Sequence, residues 1–132
     1  MEFMPNFQLH RPETIEEALR ARTDNDEALY VAGGTDMLVN VRRGIEQPKN
    51  LVDLSAISGM KSITKDSDGL HIGAGVTLRE LQDHKAVVKN YTALTQSAKA
   101  VAGATDQMYG TVGGILCLDT RCLFYNQSEW WR

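Results

Sequence analysis

Residues 28–36 constrain the fold of this chain more than any other stretch. Residues 28–32 form an apolar run of the kind found in buried strands. Gly33 and Gly34 follow, and Thr35-Asp36 then open a segment with the apolar spacing of a helix. Glycines between a strand and a helix let an anion approach backbone N–H groups. These residues alone predict either a tight strand-to-helix turn, which is the simpler interpretation, or a phosphate-binding loop.

The flanking segments alternate between strand and helix patterns. They are a strand at 7–10, a helix after Thr14, the strand at 28–32, a helix at 36–43 that ends at Gly44, and a strand at 50–54. Thr14 and Glu17 form a capping box, and the helix that follows should bury Ile15, Ala18 and Leu19. This order predicts a small parallel βαβαβ unit, whose ligands bind beyond the carboxyl ends of the strands.

The pattern changes in the second half of the chain. Two short apolar runs, at 63–65 and 70–73, flank a turn sequence at 66–69 and predict an antiparallel hairpin. Thr77 and Glu80 form a second capping box, and helical spacing runs from 91 to 102. The chain therefore divides into an N-terminal subdomain, 1–57, and an α+β subdomain, 58–132. The overall class is α+β.

A second glycine cluster, Gly110-Thr111-Val112-Gly113-Gly114, follows the predicted helix. We interpret it as another loop that exposes its backbone. The two glycine loops are far apart in sequence and could hold one long ligand, such as a dinucleotide, from both sides. Neither loop has the Walker pattern or G-x-G-x-x-G, so a dinucleotide site here is not of the Rossmann kind.

Composition excludes several function classes. The net charge is −3 with acidic and basic residues interspersed, which predicts no nucleic-acid partner. No apolar run approaches the roughly 18 residues of a membrane span, and the first residues lack the pattern of a signal peptide. Two cysteines are too few for a disulfide scaffold, so we expect a cytoplasmic protein. We predict no catalytic residue, because no acid–base pair or nucleophile–base set stands out.

Three motifs together resemble the FAD-binding subunit of the molybdenum hydroxylases, the family of xanthine and carbon monoxide dehydrogenases. They are Ala32-Gly33-Gly34-Thr35-Asp36, the segment 72–78, and Thr111-Val112-Gly113-Gly114, in that order. The resemblance implies an FAD-binding fold of the vanillyl-alcohol-oxidase-like (PCMH) type, with the second subdomain incomplete. It covers roughly the first two-fifths of such a subunit.

The resemblance also implies which residues bind FAD. They are Leu29, Tyr30, Val31, Ala32, Gly33, Gly34, Thr35 and Asp36 around the first loop, Thr111, Val112, Gly113, Gly114 and Ile115 in the second, and Val101 and Asp119. In this scheme the diphosphate lies on N–H groups of both loops, Val101 lies near the isoalloxazine ring and Asp119 reaches the adenosine. Helix capping is the expected role of Asp36, since its carboxylate would repel phosphate.

The tail sequence, residues 118–132, is similar to the β subunit of the 4-hydroxybenzoyl-CoA reductases. That similarity implies a [4Fe–4S] cluster in a longer protein, with Cys122 as its first ligand. It further implies a large molybdenum subunit, a small [2Fe–2S] subunit and a ferredoxin-type electron donor. Spacing alone favours two ordinary reduced cysteines, Cys117 and Cys122. The absence of a capped end and the aromatic pair Trp130-Trp131 suggest a fragment of a longer chain.

Two positions differ from the family pattern. Ile115 stands where the family usually has Asn. The segment Gln107-Met108-Tyr109-Gly110-Thr111 is shorter than the family's Gln-Ile-Arg-Asn-x-Gly-Thr. The alternatives are an FAD subunit of another molybdenum hydroxylase, a module for another nucleotide, and an interaction or remnant domain that binds no flavin.

Overall fold

The computed structural model describes residues 4–120, Cys122 and Phe124. Its strands are β1 (Gln8–His10), β2 (Leu29–Val31), β3 (Asn50–Asp53), β4 (Ile63–Lys65) and β5 (Leu70–Ile72). Its helices are α1 (Ile15–Asp24), α2 (Met37–Arg42), α3 (Leu78–Asp83), α4 (Lys85–Asn90), α5 (Thr92–Ala100), α6 (Ala104–Tyr109) and α7 (Val112–Leu116). Trp130-Trp131 and the rest of the tail beyond Phe124 lie outside the described residues.

The first three strands form a parallel sheet in the order β1-β3-β2. Leu51 of β3 is level with Leu9 on one side and Leu29 on the other. Because β3 is the central strand, Leu51 and Val52 are fully buried. The predicted parallel βαβαβ unit is therefore confirmed, and the carboxyl ends of all three strands lie at one edge of the sheet.

Helix α1 packs on this sheet through small side chains. Ala18 is buried, and Ala21 packs beside it against Ala28 and Val52. The prediction that Ile15 and Leu19 are buried too is wrong, since both are about half exposed. Small residues bring the helix axis close to the sheet, which leaves the neighbouring large side chains on the flank of the helix.

The first capping box forms only in part. The Thr14 hydroxyl accepts the N–H of Glu17 at 3.1 Å, as predicted. The Glu17 carboxylate, however, accepts the N–H of Glu13 at 2.9 Å and not that of Thr14. The end of α2 follows the prediction: Gly44, at φ +71°, has the left-handed conformation of a C′ residue.

The second half begins with the predicted hairpin, in which β4 pairs antiparallel with β5. The Asp66 carboxylate accepts the N–H groups of Asp68 and Gly69 in the turn and lies 2.9 Å from His71 Nε2. The second capping box is complete, with Thr77 and Glu80 bonded in both directions. A second core cluster fills the space between these elements; it consists of Val76, Leu78, Leu81, Val87 and Ala98.

Three helices, α4, α6 and α7, were not predicted, and one helix is shorter than predicted. Helix α5 ends at Ala100 because Val101 is extended and Ala102 has φ +49°. Helices α4 and α6 flank α5 and pack on α3 or α5. The mixed α+β class is confirmed, whereas the boundary at residue 57 stays a prediction. Within the described part of the chain, no helix is long and apolar enough to cross a membrane.

Candidate functional site

The two glycine segments line one cavity of about 750 Å³. The cavity lies against the parallel sheet, with Leu9 and Leu51 in its lining, and extends past the carboxyl end of β2 to Gly33 and Gly34. Thr111, Gly113 and Gly114 belong to the same cavity. Ligand pockets span about 300–1,000 Å³, so the cavity is large enough for a nucleotide-sized molecule. The sequence prediction that the segments converge on one ligand site therefore has a geometric basis.

The first glycine loop touches the second segment directly. A Cβ on Gly33 would lie 1.8 Å from the carbonyl oxygen of Tyr109, so no larger residue fits there. Gly34 serves a different need, because its φ of +72° is a conformation that L side chains rarely adopt. The two segments also meet at Gly110, where an added Cβ would lie 3.6 Å from Thr35 Oγ1. Each glycine of the pair is thus required for its own steric reason.

The N–H groups of the first loop are available to a ligand. Among the described residues, the N–H groups of Gly33, Gly34 and Thr35 donate to no other group of the chain. The Gly34 carbonyl is used, since it accepts the Leu38 N–H at 3.2 Å. Unpaired N–H groups beside a cavity are donors for an anion, which is the property the sequence predicted for this loop.

The second glycine segment differs from its prediction. It forms the short helix α7 and is not an open loop. The Val112 N–H donates to Val76 O and the Gly113 N–H to Ala74 O, each at 2.8 Å. The Gly114 N–H donates to the Thr111 hydroxyl at 3.1 Å. These donors are used inside the protein, so the segment offers few donors of its own to a ligand.

The carboxylate of Asp36 does not cap α2 as expected. Asp36 stands at the N-cap position, but its side chain makes no hydrogen bond to the first turn of the helix. Its Oδ2 accepts from Asn40 Nδ2 at 3.2 Å instead. The backbone of Asp36 is already helical, with φ −110° and ψ −57°, whereas a capping side chain usually accompanies an extended N-cap residue.

The structure does not bring all of the predicted FAD-binding residues to the cavity wall. Tyr30, Val31, Ala32, Gly33, Gly34, Thr111, Gly113 and Gly114 line it. Leu29, Thr35, Asp36, Val101, Val112, Ile115 and Asp119 do not. Of these, Val101, Val112 and Ile115 pack against the core cluster around Leu81, which explains why an apolar side chain is accommodated at position 115.

The cysteines lie near the end of the described chain. Cys117 is exposed and lines the cavity, and Cys122 is partly buried. No group of three or more His, Cys, Asp or Glu side chains in the described residues could hold a metal ion. The described part of the chain therefore does not assemble a ligand set around Cys122.

Sequence reasoning missed several residues of the cavity wall, among them Asp53, Lys61, Glu80 and Tyr109. Asp53 ends β3, and the rule that ligands bind beyond the carboxyl ends of strands could have identified it. Its Oδ2 lies 3.2 Å from Arg11 Nε and its Oδ1 accepts the Ser55 N–H at 2.9 Å. Arg11 therefore balances the charge of this carboxylate.

A glycine loop with unpaired N–H groups, at the carboxyl edge of a parallel sheet and beside a cavity, is typical of α+β domains that bind nucleotides. Residues 5–122 match the family model described as the FAD binding domain in molybdopterin dehydrogenase, and the chain belongs to this family. The resemblance drawn from the sequence motifs is confirmed at this level.

Relatives and solved structures agree with this assignment. The chain is 32% identical over 127 residues to the aldehyde oxidoreductase FAD-binding subunit of Escherichia coli strain K12, covering 96% of this chain and 40% of that protein. It is 30% identical to the xanthine dehydrogenase FAD-binding subunit of E. coli O157:H7, covering 82% of this chain and 37% of that protein. A solved structure of carbon monoxide dehydrogenase from Hydrogenophaga pseudoflava superposes with a TM-score of 0.83 and 26% identity, covering 86% of this chain and 40% of that one. The chain thus spans about two-fifths of the length of these relatives.

Proposed function

We propose that this chain binds FAD in the cavity at the edge of the parallel sheet and serves as the flavin-binding part of an electron-transfer subunit in a molybdenum hydroxylase. The observation that carries the proposal is the convergence of both glycine segments on one cavity, with Gly33 against Tyr109. Membership in the family of FAD binding domains supports it independently.

The chain's own residues divide the task of holding the cofactor. The unpaired N–H groups of Gly33 and Gly34, which line the cavity, are the donors for the diphosphate, and the N–H of Thr35 follows them. The end of helix α6 and Gly110 hold the first loop in place, through the contact between Gly33 and residues 109–110. Apolar side chains such as Leu38 and Met60 exclude water from the wall. Val101, Ile115 and Asp119 belong to the predicted set but do not line the cavity, and Val101 and Ile115 pack against the core cluster around Leu81.

Bound FAD would supply a redox centre that accepts and releases electrons, and the protein would set its position and surroundings. In this proposal the partners are a large molybdenum subunit and a small [2Fe–2S] subunit, and the location is cytoplasmic. The relatives named above support it, since they are FAD-binding subunits of oxidoreductases.

A narrower proposal concerns the parent enzyme. The tail sequence around Cys122 favours a subunit of the 4-hydroxybenzoyl-CoA reductase type, with a [4Fe–4S] cluster and a ferredoxin-type donor. A xanthine or carbon monoxide dehydrogenase type fits the comparisons equally well. Iron and sulfide analysis of the parent complex separates the two, because only the reductase type carries four additional iron atoms per FAD in this subunit.

A titration of the 132-residue chain with FAD tests the proposal. We expect one FAD per chain, quenching of flavin fluorescence and a higher unfolding temperature, since a ligand at 100 times its Kd stabilises by roughly 2.7 kcal/mol. ATP and NAD at the same concentrations are the controls and should shift the unfolding temperature less. If FAD causes no quenching and no thermal shift, the proposal fails. Stabilisation by another nucleotide alone would identify a different ligand.

A further inference from the structure

Lys61 occupies a fixed place on the cavity wall. The segment around it is held by two backbone hydrogen bonds: the Gly75 N–H donates to Met60 O and the Gly73 N–H to Ser62 O, each at 2.8 Å. A Cβ on Gly73 would lie 2.2 Å from Met60 O, so the two segments are in close contact. The backbone of Lys61 is therefore anchored on both sides, and this exposed residue belongs to the cavity lining.

The same segment is connected to helix α7. Ala74 stands between the two glycines that hold residues 60–62, and its carbonyl oxygen accepts the Gly113 N–H at 2.8 Å. Residues 60–62, 73–75 and 111–114 thus lie side by side along one wall of the cavity. A ligand held by the first glycine loop would face this wall.

Lys61 is the positively charged residue among the described residues that line the cavity. Of the residues that the structure describes, three charged ones line the cavity, namely Asp53, Lys61 and Glu80. Asp53 is paired with Arg11, and Glu80 Oε2 accepts from the N–H and hydroxyl of Thr77. Lys61 has no ion pair within the described part of the chain. An anionic ligand entering this cavity would meet two engaged carboxylates and one available ammonium group.

We infer that the Lys61 ammonium group contacts the phosphate portion of the dinucleotide in this cavity. The inference rests on the proposed function and adds a residue to it. The first loop offers neutral N–H groups, whereas Lys61 supplies the formal positive charge that offsets the diphosphate next to Asp53 and Glu80. A lysine does this as a flexible point charge, so its ammonium can reach the ligand while its methylene stem stays on the apolar wall.

Substitution of Lys61 tests the inference. Lys61→Met removes the charge and keeps the apolar stem, and Lys61→Arg keeps the charge. The matched control is Lys89→Met, an exposed lysine on α4 outside the cavity wall. We expect Lys61→Met to raise the Kd of FAD roughly five- to tenfold at low salt, because one charge-assisted contact is lost. Lys61→Arg and Lys89→Met should stay within about twofold of the parent chain.

Two further readouts separate a phosphate contact from a structural effect. Riboflavin lacks phosphate, so its affinity should be the same in Lys61→Met as in the parent chain. The FAD affinity of the parent chain should fall with added NaCl, and the fall should be smaller in Lys61→Met, since fewer charged contacts are screened. An unchanged FAD affinity, or an unchanged salt dependence, in Lys61→Met overturns the inference.

A failure of the Lys61 inference can be told apart from a failure of the proposed FAD binding. If the parent chain binds no FAD, the proposed function is refuted, and inorganic pyrophosphate is then titrated as the probe for Lys61. Pyrophosphate binding that weakens in Lys61→Met but not in Lys89→Met would retain the anion contact. If the parent chain, Lys61→Met and Lys89→Met bind pyrophosphate equally well, or none of them binds it, the proposed contact between Lys61 and an anion is refuted.

Discussion

Replacing Gly33 with alanine should disrupt the contact between the two glycine segments. The added Cβ would lie 1.8 Å from Tyr109 O and 2.4 Å from Tyr109 C, and both neighbours are backbone atoms. The segments would have to separate by roughly 1.5 Å to reach ordinary van der Waals contact, since a packed interior has no spare volume. Residues 109–110 cannot yield easily, because Gly110 O accepts the Leu78 N–H at the start of α3.

This geometry sets the expected loss of stability. Overpacking costs typically 1–3 kcal/mol, and a clash with backbone belongs at the upper end, so we expect a loss of about 2–3 kcal/mol in the free energy of unfolding. For a domain of this size, that loss lowers Tm by roughly 6–12 °C. FAD affinity should fall at least tenfold, since the open N–H groups of Gly33 and Gly34 would move with the loop.

Gly59→Ala is the matched control. A Cβ on Gly59 meets no atom within 4 Å, so the same chemical change should alter stability by less than about 1 kcal/mol. Urea unfolding, followed by circular dichroism, measures the stability of both variants, and fluorescence titration measures FAD binding. If Gly33→Ala unfolds at the same urea concentration as Gly59→Ala and binds FAD equally well, the reasoning about the contact with Tyr109 is refuted.

Two other predictions concern polar contacts. Gln107 is buried, and its Nε2 donates to Lys99 O and Val101 O at 3.0 and 2.9 Å. Gln107→Ala should therefore lower the free energy of unfolding by roughly 2–3 kcal/mol, whereas the control Gln96→Ala, at an exposed position, should change it little. Equal urea midpoints for the two variants would contradict this prediction. The N–H of Asp68, followed by the hydrogen bond from His71, holds the pKa of Asp66 below its usual 3.8. The ionised Asp66 carboxylate therefore stabilises the fold fully above the unfolded pKa, and this stabilisation is lost as pH falls below about 3.8. Asp66→Asn should make Tm fall less steeply with acid than in the parent chain. Parallel profiles of Tm against pH for the two proteins would contradict the prediction.

Most of the fold could be predicted because its signals are local. Gly44 ends α2, the Asp66 turn joins β4 to β5, and Thr77 with Glu80 starts α3, each through atoms only a few residues apart. Helix α6 was missed for a physical reason. Its single buried side chain is Gln107, so it is held by polar contacts, which an apolar periodicity does not reveal.

The site was less predictable than the fold. The convergence of the two glycine segments was predicted from their sequence. That the second segment forms a helix, α7, was not predicted. Thr111 caps α7 by accepting the Gly114 N–H, and tertiary hydrogen bonds from Val112 and Gly113 hold a helix that glycine disfavours. Asp53 was missed although it ends β3, whereas Lys61 reaches the cavity wall through backbone pairings of its neighbours with residues 73–75, which no local pattern records.

The central position of β3 has a consequence for the order in which the sheet assembles. Neither β1 nor β2 has a strand partner until residues 50–53 have been synthesised, because both pair with β3 and not with each other. The strand that precedes the first glycine loop, β2, therefore gains its partner only after residues 32–49, which include helix α2, have been synthesised. A synonymous codon change that slows the synthesis of residues 50–53 would lengthen the time for which β1 and β2 are unpaired, and unpaired strand edges promote aggregation.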